Sequence, residues 1–425
     1  MTRHCITLLC TTLLLLTVSF HGQSLNSDER KLAVLIDRNA ADGLALLEKA
    51  VNIDSPTDEP DGVRQVGRLF ADELKAIGME VSWIEMPAEA KRAGHLVAET
   101  KGSKGKRLLL LGHLDTVLKG ERFRRDGDKA FGTGIGDMKG GDVILIQALK
   151  ALHQAGFLKD TRLVVMLTGD EENSCEPVSI CRGDMIAAAK RSDAALSFEG
   201  TVRNTATVGR RGASSWRLEI ESKTGHSSQI FRDGMGNGAI FEASRILNEF
   251  RIALAGEKYL TFNPSLILGG TTTELTGSAG SAAGKTNVVP AGAVVNGDLR
   301  FISEVQKEAA RAKMREIVAK SLPGTTARIT FQDGIPAMTP APGNYGLLKQ
   351  LDAVSKDLGA GPVEALDPGD RGAGDIAYIA HLLPSLDGIG IGGGNNSHAR
   401  GESAHLDTMP MLTKRAALLI YRLTR

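Results

Sequence analysis

Apolar and polar residues follow each other along this chain in two rhythms. Over residues 27–51 apolar side chains recur at Leu32, Leu35, Ile36, Leu44, Leu46 and Leu47, the spacing that lays one stripe along a helix. A second helix is predicted over 63–77, closed by Gly78, a residue suited to a helix end. Residues 81–84 read as a strand. The four leucines at 108–111, bounded by Lys106-Arg107 and Gly112, suit a strand covered on both faces. Helix over 141–154, strand over 162–167, helix over 184–190 and strand over 194–198 follow. Strands alternating with helices imply an α/β domain with helices on both faces of its sheet.

After about residue 207 the rhythm changes. Trp216-Arg217-Leu218-Glu219-Ile220-Glu221 alternates with period two, as a strand with one wet face does. A helix over 237–250, strands over 265–268 and 293–301, a helix over 303–321 and a strand over 327–331 complete a strand-helix-strand-strand-helix-strand unit. Helices are then predicted over 345–358, 375–381 and 409–423. The division is residues 23–207 and 327–425 for the α/β domain, with a smaller α+β domain inserted at 208–326.

Composition narrows the partners. The 425 residues carry 51 basic and 50 acidic side chains, a net charge of +1. That balance offers no electrostatic reason to bind nucleic acid or an anionic membrane surface. Arg3 and His4 precede an apolar run over 5–20 and a polar stretch, the pattern of a secretory signal over 1–22. The run is too short for a comfortable membrane span, and no later stretch is apolar enough to make one. A periplasmic or secreted location is therefore expected. Cys5 and Cys10 fall in the signal. Cys175 and Cys181 remain, and in an oxidising compartment they could close a short disulfide loop or stay as two thiols.

Acids and imidazoles gather just past the strand ends, where open α/β sheets bind ligands. His113 follows the leucine strand, and Asp115, two residues on, points the same way in extended chain and can hold the spare imidazole proton. Asp137 sits in the glycine-rich turn Gly132-Thr133-Gly134-Ile135-Gly136 before a helix. No buried strand leads into those glycines, which argues against a dinucleotide loop. The strand over 162–167 runs into Asp170-Glu171-Glu172, three acids that are costly at a buried strand end unless a cation neutralises them. Glu199 repeats the theme, and His398, Glu402, His405 and Asp407 follow the late glycine run. Mixed nitrogen and oxygen donors suit zinc, with manganese or cobalt as alternatives.

These segments, GHLDT, GTGIGDMKGG, TGDEE, SFEG, TGHSS, N-x-x-P, D-x-R and the late His, resemble in order the co-catalytic zinc metallopeptidases. That family includes glutamate carboxypeptidase, acetylornithine deacetylase and succinyl-diaminopimelate desuccinylase. SFEG resembles the glutamate carboxypeptidase branch most. The resemblance covers nearly the whole chain after the signal. It implies a mixed sheet flanked by helices with a ferredoxin-like lid and dimerisation domain, and a homodimer. It implies that His113 and Glu199 hold one ion, Glu172 and His398 the other, and that Asp137 bridges them, with His405 the alternative late ligand. Glu171 is then the general base toward a water between the ions, and Asp115 orients His113. His226 reaches the reacting carbonyl from a partner subunit. Asn287 and Arg300 hold the substrate carboxylate, and the pocket is lined by the segment around Gly372. Where the family more often shows Gly-Gly-Gly-Thr-Asp, this chain has Arg371-Gly372-Ala373-Gly374-Asp375. The implied activity is hydrolysis of an amide beside a C-terminal or N-acylated amino acid, the substrate a small peptide or N-acyl amino acid. A dizinc aminopeptidase or dipeptidase, and a non-catalytic metal-binding protein on the same scaffold, are the alternatives.

Overall fold

The computed structural model describes residues 25–425; the predicted signal over 1–22 lies outside them. The stretch 27–51 forms two helices, α1 (Ser27–Arg38) and α2 (Ala40–Val51), parted at Asn39. A reciprocal cap starts α1: the Asn26 side chain accepts from the Glu29 amide, and Glu29 accepts from the Asn26 amide. Helix α3 (Pro60–Ala76) opens on proline, whose missing N–H is no loss in a first turn.

The strands β1 (Glu80–Ile84), β2 (His95–Glu99) and β3 (Lys104–His113) follow, then α4 (Gly140–Ala155), β4 (Thr161–Thr168), α5 (Val178–Lys190) and β5 (Ala194–Ser197). The chain then enters a second sheet through β6 (Gly212–Ser222), α6 (Ala239–Leu254), β7 (Thr261–Gly270), the hairpin β8 (Thr272–Thr276) and β9 (Ala279–Ala283), β10 (Gly292–Phe301), α7 (Glu304–Val318) and β11 (Thr325–Asp333). It returns as α8 (Pro342–Asp357), β12 (Ser385–Leu386) and α9 (Met409–Leu423).

The main sheet has the order β1-β2-β4-β3-β5-β12. Strand β2 runs antiparallel to both its neighbours, β1 and β4, while β4, β3, β5 and β12 are mutually parallel. The mixed sheet flanked by helices is thus the architecture expected. Strand β3 lies between β4 and β5, which is why its leucines form an unbroken run. Alternate side chains of a strand face opposite ways. Leu108 and Leu110 join the core under α1–α4 and α9, while Leu109 and Leu111 join the one with Met185 and Ile376.

The inserted sheet is antiparallel with the order β7-β10-β6-β11. The even positions of β6, Trp216, Leu218 and Ile220, are buried against Ile246, Phe250 and Met314. Trp216 meets Phe250 edge-on at 5.9 Å. The odd positions form an open, charged face on which Glu219 pairs with Arg217 and Arg328.

Four features depart from expectation. Strand β11 pairs with β6 along its whole length, so the inserted sheet runs to Asp333 rather than ending at 326. The hairpin β8–β9 was not predicted; its Thr, Ser, Ala and Gly residues carry no apolar alternation. Strand β2 was also missed, though it is paired on both sides. The predicted helix over 375–381 is a single tight turn, Asp375–Tyr378, whose Asp375 is tied by side-chain bonds to Thr168 on β4 and Arg182 on α5. No helix of the described residues is long and apolar enough to cross a membrane.

Candidate metal centre

The C-terminal ends of β3, β4 and β5 deliver His113, then Glu171 and Glu172, then Glu199 to one place. Asp137 is brought there by close backbone approach. Any side chain at Gly141 would put its Cβ 1.8 Å from the carbonyl oxygen of Phe198, so the start of α4 seats directly beside Glu199 only because glycine stands there.

Asp137 lies between two imidazoles. Its Oδ1 is 3.2 Å from His113 Nε2, and its Oδ2 is 3.2 Å from His398 Nε2. His113 Nε2 is also 3.7 Å from Glu199 Oε1, and His398 Nε2 is 3.0 Å from Glu172 Oε2. Ligand atoms of His113, Asp137 and Glu172 fall within 4.8 Å of one another. The five residues singled out as ligands therefore converge. His405 stands apart, its Nδ1 3.8 Å from Asp407. The loop that presents His398 holds two non-glycine residues in left-handed backbone, Asn396 at φ 58° and His398 itself at φ 65°, conformations that cluster where a site over-determines the chain.

Asp115 does more than was predicted of it. The His113 Nδ1 lies 3.0 Å from the Asp115 carbonyl and 3.5 Å from its carboxylate. The carboxylate also accepts from Thr57 Oγ1 at 2.6 Å and from the Glu171 and Glu172 amides at 3.1 Å each. One buried acid thus orients a histidine and the two-glutamate turn together.

Four carboxylates with two imidazoles make an unbalanced cluster. Burial pushes the Glu171 carboxyl well above the usual range, with Glu199, Asp375 and Glu172 adding to it. Burial and Asp137 push Glu199 up to about 7. Asp137 and Glu172 push His398 up to about 10. Burial disfavours the His113 cation, yet Asp115 and Asp137 hold its pKa well above the usual value. Glu172 Oε1 is buried with no hydrogen-bond partner. Such a set lacks positive charge, and divalent cations bound by oxygen and nitrogen supply it; the residues fit the ions.

Three supporting parts were not legible beforehand. Glu402, named only among the residues after the late glycine run, accepts from the Gly134, Gly136 and Asp137 amides at 2.7, 2.8 and 3.0 Å and clamps the Asp137 loop. A glycine-rich turn with several free amides calls for such an acceptor, but nothing in sequence says which acid answers. Arg210 donates to Asp387 at 2.8 Å and to the Gly372 carbonyl at 2.6 Å, and lies 4.0 Å from Glu199. Asp170 is no part of the cluster: its cation is Arg182, which bonds it at 2.6 Å and Asp375 at 2.7 Å.

The residues of the inserted domain are placed differently. His226 is exposed, bridges Val288, and accepts from the Ser228 amide. The Asn287 carbonyl accepts from Ser227, so His226 and Asn287 share one patch. Arg300 lies on β10, its side chain 40% exposed and paired with Asp298 at 2.9 Å. None of the three bonds to the metal cluster among the described residues. Gly372 is exposed, with open space where a Cβ would stand.

An α/β sheet bearing this ligand cluster at its strand ends defines a metal-dependent hydrolase. The model of Peptidase family M20/M25/M40 matches residues 109–422, and the chain belongs to that family. It is 30% identical over 389 residues to Carboxypeptidase G2 of Pseudomonas sp. (strain RS-16), covering 88% of this chain and 87% of the relative. It is 26% identical to a succinyl-diaminopimelate desuccinylase of Acidiphilium cryptum (strain JF-5), over 81% of this chain and 89% of the relative. Among solved structures, aminopeptidase PepT from Bacillus cereus ATCC 10987 superposes with a TM-score of 0.71 at 17% identity, over 91% of this chain and 99% of that one. A dinuclear metal binding peptidase of Bacillus subtilis superposes at 0.65 and 14% identity, over 91% and 99%. These two likenesses are of fold. The resemblance to the glutamate carboxypeptidase branch holds.

Proposed function

We propose that this protein cleaves an amide next to a C-terminal or N-acylated amino acid, as a carboxypeptidase or N-acyl-amino-acid amidohydrolase. The observation that carries the reading is Asp137 set between His113 and His398, with Glu171 beside them and held by Asp115. His113 and Glu199 would hold one divalent ion, Glu172 and His398 a second, with Asp137 shared. Zinc suits the donors best, and cobalt or manganese is the alternative. Bound ions of this kind lower the pKa of water toward neutrality and polarise a carbonyl.

The chain's own residues do the rest. The Glu171 carboxylate takes the proton of the attacking water and gives it to the departing amide nitrogen. His226 donates to the developing oxyanion. Asn287 and the forked Arg300 guanidinium grip the substrate carboxylate. Because His226 and Asn287 sit exposed on the inserted domain, we assign them to a partner subunit's site, which makes the active species a homodimer. We also propose export. The basic-apolar start supports it, as does the bond between Cys175 and Cys181, whose Cα atoms are 5.9 Å apart.

The test is hydrolysis of N-blocked against N-free dipeptides by zinc- or cobalt-loaded protein. Cleavage of the blocked substrates supports the proposal. Cleavage of N-free substrates alone makes the protein an aminopeptidase or dipeptidase, and stoichiometric metal without turnover of either makes it a binding protein.

A further inference from the structure

Away from the metal cluster, α2, α4 and the start of α9 enclose a cavity of about 260 Å³. Its inner walls are apolar: Ile36, Leu406 and Met409 are buried and Leu44 is partly so. Two polar side chains reach this depth. Thr413 spends its hydroxyl on the Met409 carbonyl at 2.7 Å. Gln147 is 7% exposed, and its Nε2 is buried with no hydrogen-bond partner. The facing wall leaves room around it, since Gly43 stands there; a Cβ on Gly43 would lie 3.2 Å from Gln147 Cγ and 4.0 Å from its Nε2. A buried donor without an acceptor costs free energy that a native structure retains only for a reason.

The mouth of the cavity carries both signs of charge. Helix α2 begins there at Ala40 and Ala41 without a side-chain cap, because Asn39 donates to Gln154 instead. First-turn amides have no acceptor within their helix, and that end of a helix favours an anion. The exposed Arg125 stands with them, its Nε on the Gly127 carbonyl at 2.9 Å. Asp128 and Asp407 supply the opposite sign, and both are exposed. A lone carboxylate entering this mouth meets two acids, and a lone amine meets a guanidinium and a helix start. A molecule that carries both charges on one carbon satisfies both sets. Behind such a head the apolar walls suit methylenes, and Gln147 is placed to meet one acceptor beyond them.

We propose that this cavity binds a free α-amino acid. Its ammonium lies at Asp128 and Asp407, its carboxylate at Arg125 and the start of α2, and its methylene side chain ends in a carbonyl that accepts from Gln147. The inference stands on the cavity and does not require the hydrolase reading. An amino acid is also what the proposed reaction releases, so the test must separate this site from the metal cluster.

The experiment is calorimetry of zinc-loaded, full-length protein with L-glutamine, a probe of this shape. The wild type is expected to bind it with a Kd of about 1 mM or below. Gln147→Leu is expected to weaken binding about tenfold or more, the scale of a buried donor's lost bond. Asp407→Asn, a change at an exposed position, is expected to weaken it about threefold. Two truncated probes, 4-aminobutanamide without the carboxylate and 4-carbamoylbutanoate without the ammonium, are each expected to bind about tenfold more weakly than L-glutamine. Arg300→Gln should leave binding unchanged. Zinc content and circular dichroism confirm that each variant is folded and loaded, and if Gln147→Leu does not fold, Asp407→Asn and the truncated probes decide the question. No binding by the wild type overturns the proposal, as does equal binding of the truncated probes. Binding that survives Gln147→Leu and Asp407→Asn but is lost in Arg300→Gln also overturns it, and places the amino acid at the proposed active site.

Discussion

The strand ends of the main sheet and the open face of the inserted sheet are built on opposite plans. At the strand ends several functional groups are held by others of the same chain: Asp115 by Thr57 and two amides, the Asp137 loop by Glu402, His398 by Asp137 and Glu172. On the inserted domain His226 and Asn287 are exposed, and Arg300 is bonded only to Asp298 two residues away. The first region is preorganised within one chain. The second presents the His226 and Arg300 side chains bonded only to residues two positions away, Ser228 and Asp298, among the described residues. On the function proposed above, the difference separates chemistry from recognition: one chain would complete the ion-binding cluster, while gripping the substrate would await a partner subunit.

The sharpest way to break this contrast is Glu171→Gln. It should abolish turnover, a loss of about 10³-fold or more, the scale of a missing general base, while metal analysis still finds two ions per chain. Loss of an ion would make Glu171 a ligand.

His226→Ala probes the other region. It should cost about 10²-fold in kcat, the scale of a lost oxyanion donor, with metal content unchanged. Mixing the impaired His226→Ala and the inactive Glu171→Gln proteins should raise activity above that of either alone, since a mixed dimer of the proposed kind would hold one intact site. No recovery after verified subunit exchange would place His226 in its own chain's site.

That division is also where sequence reading succeeded and where it stopped. His113, Asp137, Glu171, Glu172 and Glu199 were legible because each stands immediately after an apolar strand or a glycine turn, and local pattern locates such ends. Glu402, Arg210 and Arg182 were not legible. Each acts on a partner far away in sequence, Glu402 on residues 134–137 and Arg210 on 372, 373 and 387. Only the closed fold supplies those pairings. The hairpin β8–β9 was missed for the complementary reason that its residues carry no apolar rhythm at all.

Smaller effects sharpen the account of the self-contained centre. Glu402→Gln removes one acceptor oxygen from a three-amide clamp and should weaken metal binding by about 10-fold or more, the usual cost of losing a ligand's supporting bond. Equilibrium dialysis against a zinc buffer measures it, and unchanged affinity would mean the loop holds its shape unaided.

Metal uptake should also depend on pH. Without ions the His398 ring stands near 10 and Glu199 near 7. Both must lose protons to ligate, so binding at neutral pH releases protons and affinity falls as pH falls, more steeply below about 7. Calorimetry in buffers of different ionisation enthalpy counts the protons; a count of zero would show that the ligands are already deprotonated.

The smallest effect is expected from Cys175→Ser. By the loop-entropy relation the short ring between Cys175 and Cys181 contributes about 2 kcal/mol, so thermal unfolding should begin a few degrees lower with kcat intact. A fall in kcat without a shift in melting would tie that ring to the neighbouring Glu171-Glu172 turn instead.

The segment that carries His398 and Glu402 comes late, after the whole inserted sheet and shortly before α9. During synthesis, then, the earlier ligands emerge long before the residues that finish their coordination. On the function proposed above, a chain clipped before this segment would lack both His398 and the Glu402 clamp on the Asp137 loop, and would lose activity however well its first half folds.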